Sequence, residues 1–277
     1  MRKESLTFEQ LDLPPWHVEY LVFGHGPETL LAFHGFDNDA EDLLVFEPSL
    51  GDRFTIISIN LFFHGKSRST VAADRAVFDT QALSTVVHHI LTACDVHRFS
   101  LLGYSLGGRI CLKTLELFPD RIDRLLLLAA DGLKMNRWYI FITGTKIGRS
   151  LFRRVVKKPD TFLRMAGIIR ALRLVGEKQY KFALSYFDDQ KKRDKVYAVW
   201  MIYRLLLPDQ KSISSILRTY PISCHLLFGK RDSIIPAAFG NSFLKKVGGN
   251  CTIHCVDAGH QLIKPSIGEY LRTNCLQ

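Results

Sequence analysis

The sequence lacks any apolar run longer than about 8–10 residues, against the roughly 18 that a bilayer-spanning helix needs. No transmembrane segment is therefore expected. The N-terminal stretch MRKESLTFEQLD is polar and charged and has no apolar core of the kind that marks a secretory signal. None of the six cysteines (Cys94, Cys111, Cys224, Cys251, Cys255, Cys275) forms a C-x-x-C pair. Unpaired thiols fit a reducing compartment, and the expected localisation is cytoplasmic. Cys251 and Cys255 bracket His254, but CTIHCV reads as a strand. That puts Cys251, Ile253 and Cys255 on one face and His254 on the other, so no metal is expected. Internal repeats and low-complexity segments are absent.

Acidic residues are also in short supply, 27 against 37 Lys+Arg, for a net charge of +10. The imbalance is local. Residues 132–215 hold 19 Lys+Arg and 6 Asp+Glu, a net of +13, which leaves 10 − 13 = −3 for the rest. Such a patch points to acidic partners, either an anionic substrate or a membrane surface, or is simply a solvated cationic face. No nucleic-acid partner is expected, and the oligomeric state is not legible.

What is present is an alternation. VEYLVFG, ETLLAF, FTIISINL, FSLLGY, RLLLLAA, CHLLFG and CTIHCV read as strands. Helix-like segments separate them, among them DAEDLLVFEPSL, Thr80–Leu91, RICLKTLELF and SIGEYLRTNCL. Apolar strands alternating with helices imply an α/β class with a mostly parallel sheet covered on both faces. From Gly132 to Ser215 the strand pattern stops. WYIFITGTKIG, TFLRMAGIIRALRLVG, KQYKFALSYF and KVYAVWMIYRLLL all read as helices. The expected division is a core of 1–131 and 216–277 with a helical insertion at 132–215.

LLGYSLGGRIC places Ser105 in a G-x-S-x-G pentapeptide between a strand and a helix. Glycines at 103, 107 and 108 weaken both elements, so something must justify them. A sharp turn that projects the serine hydroxyl at the carboxyl end of a strand does so. The amide of Leu106, at the helix start, then faces a developing oxyanion. A serine needs a base. Of ten histidines, His260 stands out: in DAGHQLIKP it follows the final strand after a short loop with Gly259 and precedes the last helix. The base needs a carboxylate. Asp232 in FGKRDSIIP ends a strand and keeps the chain order Ser…Asp…His, with Asp131 after RLLLLAA as the competing acid. FHGF follows another strand end, and the amide of Phe36 is the natural second oxyanion donor. His34 lies beneath that loop. With Tyr104 it is also the expected substrate-binding pair nearest the nucleophile.

The segments FHGF, NLFFHGKS, GYSLGG, FGKRDSIIP and AGHQLIKP, in this order, resemble the capped α/β-hydrolases, which include carboxylesterases, meta-cleavage product hydrolases and haloperoxidase-like enzymes. The resemblance implies an α/β-hydrolase fold with an inserted helical cap, a triad of Ser105, Asp232 and His260, an oxyanion hole from Phe36 and Leu106, and no metal or organic cofactor. NLFFHGKS departs from the family's D-x-x-G-H-G-x-S by Asn60 for Asp and Phe63 for Gly. The expected activity is hydrolysis of an ester, thioester or related acyl bond in a partly apolar small molecule. The apolar portion is suggested by Trp138, Tyr139, Phe141, Phe162, Phe182, Tyr186, Phe187, Trp200 and Tyr203 in the insertion, although such residues also pack helices together. A C–C bond hydrolase or lyase on the same triad, or a non-catalytic binding protein on this fold, stays open.

Overall fold

The computed structural model of the chain describes residues 7–160, 189–247 and 250–276. The segments TFLRMAGIIRALRLVG and KQYKFALSYF, with Phe162, Phe182, Tyr186 and Phe187, lie outside the described residues.

The described chain divides into two compact units. The first comprises Met1–Thr70, Thr80–Lys134 and Leu206–Gln277. It is built on nine strands: β1 (Phe8–Leu13), β2 (Trp16–Phe23), β3 (Glu28–Phe33), β4 (Phe54–Ile59), β5 (Arg68–Ser69), β6 (Phe99–Tyr104), β7 (Ile122–Leu128), β8 (Ser223–Gly229) and β9 (Cys251–Val256). The sheet order is β1-β2-β4-β3-β6-β7-β8-β9, with β5 paired to β2. From β4 to β9 every pairing is parallel, and β1, β2 and β5 pair antiparallel. All six residues of β6 and the last four of β7 are buried, as a sheet covered on both faces requires.

The flanking helices are α1 (Glu47–Leu50), α2 (Thr80–Ala93), α3 (Leu106–Leu117), a helix at Gln210–Thr219, one at Ala237–Val247 and one at Pro265–Cys275. The predicted helix 39–50 is a 3-10 turn over Glu41–Phe46 that runs into α1. Leu102 and Tyr104 of β6 share a core with Phe46 and Leu50 and with Ile267 and Leu271 of the C-terminal helix. A Cβ on Gly103 would instead meet Cys111 Sγ of α3. The C-terminal helix and α3 therefore cover opposite faces, as the two-residue period of a strand dictates.

The second unit comprises Val71–Asp79 and Met135–Leu205. Its described helices are α4 (Arg137–Gly144), α5 (Lys146–Lys157) and α6 (Gln190–Ile202). Asn136, Thr145 and Asp189 cap them by accepting the amides of Trp138, Gly148 and Lys192. Phe152 packs on Tyr197 and Trp200, and Trp200 on Tyr139. Phe78 meets Tyr203 edge-on, and its amide donates to Ile202. Several aromatics of the insertion are thus packing residues of this unit.

The unit boundaries differ from the expected 132–215 for visible reasons. The Asp209 amide donates to Glu116 of α3, and Ile213 and Leu217 are buried, which holds the 210–219 helix, now α7, in the first unit. Phe78 and Ala76 bond to Ile202 and Arg204, which draws 71–79 into the second. The two remaining helices of the first unit become α8 (Ala237–Val247) and α9 (Pro265–Cys275).

Candidate active site

Ser105 joins β6 to α3 with φ 50° and ψ −114°. A non-glycine residue held there stores strain of about 1–3 kcal/mol, and its neighbours hold it in place. Its amide donates to the Leu128 carbonyl at 2.9 Å, and its carbonyl accepts from Gly108 at 2.9 Å and Asp131 at 2.8 Å. The flanking glycines work differently from the expectation that they let the chain turn. Neither Gly103 nor Gly107 has a positive φ. They supply room: a Cβ on Gly107 would sit 2.0 Å from the Phe33 carbonyl oxygen, and one on Gly108 2.3 Å from Ala130 Cβ. The serine carries the strain, and the glycines allow α3 to close onto the sheet.

His260 Nε2 lies 3.1 Å from Ser105 Oγ, and its Nδ1 lies 2.8 Å from Asp232 Oδ2. The carboxyl group of Asp232 is fully buried. Its Oδ1 accepts the amides of Ile234 at 2.8 Å and Ile235 at 2.9 Å, which fixes the rotamer and leaves Oδ2 for the imidazole. The loops that carry acid and base are tied together. The Arg231 amide donates to the Ala258 carbonyl at 2.9 Å, and a Cβ on Gly229 would lie 2.1 Å from the Gly259 carbonyl oxygen. Asp131 is committed elsewhere, to the Arg109 guanidinium and the Gly132 amide. The arrangement can move a proton from a hydroxyl to an imidazole whose cation a buried carboxylate stabilises.

The loop after β3 lies against the nucleophile. A Cβ on Gly35 would fall 3.2 Å from Ser105 Cβ and 2.7 Å from the Tyr104 ring. Phe36 is the next residue of this loop, and its ring lies 5.8 Å from that of His64. Leu106 is the first residue of α3, where an amide has no earlier carbonyl of the helix to bond.

Two expected site residues are placed otherwise. His34 and Tyr104 are 0% and 3% exposed, so neither presents surface to a substrate. The His34 Nδ1–H donates to the Gly35 carbonyl at 2.7 Å, and its Nε2 accepts the Leu61 amide at 3.0 Å. It props the loop after β3. The Tyr104 hydroxyl donates to Gln261 Oε1 at 3.0 Å, with the His260 carbonyl at 3.2 Å, and its ring lies 5.4 Å from the His260 ring. It buttresses the base.

Sequence reasoning missed Glu19, which accounts for Asn60. Glu19 of β2 is buried, and its Oε2 accepts from Asn60 Nδ2 at 2.8 Å and from the Lys66 amide at 2.9 Å. Asn60 Oδ1 accepts the Ala40 amide at 2.8 Å. An aspartate at 60 would set two carboxylates against each other. The signal available in the sequence was a lone charge inside the apolar strand VEYLVF.

The profile of the α/β hydrolase fold family matches residues 26–149. An uncharacterized protein of Mycobacterium tuberculosis is 31% identical over 122 residues, 44% of this chain and 34% of that one. The match therefore spans about a third of the length of that relative. Among solved structures, a thermophilic esterase from Thermogutta terrifontis superposes with TM-score 0.64 at 18% identity, covering 98% of this chain and 96% of that one. A thioesterase domain from the curacin biosynthetic pathway superposes with TM-score 0.66 at 12% identity, covering 99% and 100%. Sheet order, strand-to-helix elbow and superposition agree: the chain has the α/β-hydrolase fold, and its residues 26–149 match the profile of that fold family.

Proposed function

We propose that the protein is a serine hydrolase that cleaves an ester, thioester or related acyl bond in a partly apolar small molecule. The observation that carries this reading is the unbroken line Ser105 Oγ, His260 Nε2, His260 Nδ1, Asp232 Oδ2 at 3.1 and 2.8 Å. Ser105 Oγ attacks the acyl carbon while His260 Nε2 takes its proton. The amides of Phe36 and Leu106 receive the oxyanion. Collapse expels the leaving group, which takes the proton from His260 and leaves an acyl-serine. Water, deprotonated by the same imidazole, then releases the acid and restores Ser105. Asp232 holds the tautomer and stabilises the cation. The test is turnover of p-nitrophenyl esters and acyl thioesters of graded chain length, with fluorophosphonate labelling at Ser105. Ser105→Ala is expected to abolish labelling and to lower kcat about 10⁴–10⁶-fold. A folded wild-type chain that neither labels nor turns over these substrates would refute the reading. Turnover of vinylogous diketones instead would move the chemistry to C–C bonds.

We also propose that α4 and α5 contact an anionic lipid surface. What supports the contact is composition at the surface of the second unit. Trp138, Ile147 and Leu151 are 72%, 76% and 47% exposed. Lys146, Arg153, Arg154, Lys157 and Lys158 of the same stretch are exposed too, Arg153 lying 3.7 Å from Asp74. Cations interleaved with exposed apolar side chains suit an anionic bilayer interface. At about 1 kcal/mol per cation near such a surface, losing four weakens binding roughly 10³-fold. Charge reversal at Arg153, Arg154, Lys157 and Lys158 is expected to abolish sedimentation with phosphatidylglycerol vesicles. Equal binding by variant and wild type, or equal binding to phosphatidylcholine alone, would refute the contact.

A further inference from the structure

We infer that His225, His254 and Cys275 form a zinc-binding site on the α9 side of the sheet. Within CTIHCV alone no metal is expected, because His254 lies on the opposite strand face from Cys251 and Cys255. The pairing of β8 with β9 supplies His254 with different companions. Leu227 faces His254, and His225 faces Thr252. Both histidines therefore point to the same face, two residues apart in register. That face is the one that packs on α9, since Leu227 shares a core with Ile267, Leu271 and Cys275.

The ligand atoms converge. One ligand atom from each of the three residues lies within 4.8 Å of the others. His225 Nδ1 is 3.1 Å from His254 Nε2, and Cys275 Sγ is 3.7 Å from the same His254 Nε2. In a tetrahedral zinc site with Zn–N about 2.0–2.1 Å and Zn–S about 2.3 Å, two nitrogens lie about 3.3 Å apart and nitrogen and sulfur about 3.6 Å. Two edges of the ligand face already have these lengths. The third, between His225 and Cys275, closes with a shift of at most about 1.2 Å.

The outer contacts fit as well. The nitrogen of each imidazole that faces away from the cluster meets a hydroxyl: His225 Nε2 is 2.9 Å from Ser223 Oγ, and His254 Nδ1 is 3.2 Å from Tyr270 Oη. Metal-ligating histidines engage the second ring nitrogen in this way, which fixes the tautomer and aims the lone pair. A thiolate among the ligands favours a thiophilic cation over a hard one. Two imidazoles and a thiolate with a fourth position left for water suit Zn²⁺. The ion would tie β8 and β9, which lead to Asp232 and His260, to the C-terminal helix.

The experiment is titration of the full chain, stripped with EDTA, with Zn²⁺ against a chromophoric chelator and with Co²⁺ in the spectrophotometer. Wild type and Cys255→Ser are expected to bind one equivalent, with a thiolate-to-cobalt band in the near ultraviolet and tetrahedral bands in the visible. Cys275→Ser is expected to lose the thiolate band and at least about 100-fold in affinity, and Tyr270→Phe about tenfold. Absence of the thiolate band in wild type, or unchanged affinity in a folded Cys275→Ser, overturns the site. Should Cys275→Ser fail to fold, unchanged affinity in Tyr270→Phe overturns it.

Discussion

Replacing Asp232 by asparagine tests the proposed triad more sharply than removing the serine, because the surroundings dictate which way the amide points. Asp232 Oδ1 accepts two backbone amides, those of Ile234 and Ile235, while Oδ2 faces His260 Nδ1. In Asp232→Asn the amide oxygen can keep both backbone donors only if the NH₂ group faces the imidazole. The reverse orientation turns the NH₂ group onto two N–H donors inside a fully buried pocket. Leaving two buried donors unsatisfied costs about 2–6 kcal/mol, so fewer than about one molecule in twenty takes it. In the favoured orientation His260 must accept at Nδ1 and carry its proton on Nε2. It then presents a donor where Ser105 Oγ needs an acceptor. The expected loss in kcat is about 10⁴-fold, or about 5.5 kcal/mol of barrier, with KM little changed. Asp131→Asn serves as the comparison. It removes the charge that pairs with buried Arg109, so it is expected to lower stability while changing kcat less than about tenfold. The assay is steady-state hydrolysis of a p-nitrophenyl ester, with near-ultraviolet circular dichroism to show that both variants are folded. A loss under about tenfold in Asp232→Asn, or a larger loss in Asp131→Asn, would refute the assignment of the acid.

Two further outcomes follow from the contacts around the site. Asn60→Asp introduces the residue usual at this position in the hydrolases the sequence resembles but places a carboxylate against buried Glu19. Because the pair holds a proton that the unfolded chain would release, the penalty rises as pH climbs above the carboxylate range. Denaturant unfolding is expected to show a loss of about 3 kcal/mol at pH 8 that shrinks at pH 5, and a second change, Glu19→Gln, is expected to recover most of it. Tyr104→Phe keeps the ring against His260 and removes the hydroxyl bonded to Gln261. It is expected to lower kcat about 3–10-fold with KM unchanged and stability by about 1 kcal/mol, whereas a rise in KM alone would return Tyr104 to the substrate surface.

Some of these residues could be read directly from the sequence and some could not, and the difference has a physical origin. FSLLGY and CTIHCV coincide with β6 and β9 end to end, because a strand with a continuous or alternating apolar pattern between turn residues declares itself locally. Ser105, Asp232 and His260 were legible for a related reason. Each follows a strand end, and a parallel sheet brings its carboxyl ends together. The edge strand β1, FEQLDL, was not legible, since half its residues are exposed and its charged positions resemble a tail. WYIFITGTKIG reads as one apolar helix, but Thr145 accepts the Gly148 amide and starts α5 anew. A cap of this kind is visible in sequence only to a reader who expects a break.

The least legible features depend on residues far apart in the chain. Glu19 and Asn60 are 41 residues apart, and although Glu19 is a lone charge in an apolar strand, nothing local names Asn60 as its partner. His225 and His254 are 29 apart and meet only because β8 and β9 pair in one register. A shift of one residue would turn His254 to the opposite face and dissolve the cluster while leaving every local pattern intact. That sensitivity bears on the zinc proposal. Core burial on the α9 face fixes the same register that brings the three ligands together, through Leu227 against Ile267 and Leu271. The ligands are therefore held in place by packing that exists without the ion. A site of this kind binds metal onto a folded scaffold, and stripping it is expected to leave the sheet intact and to loosen only the attachment of α9.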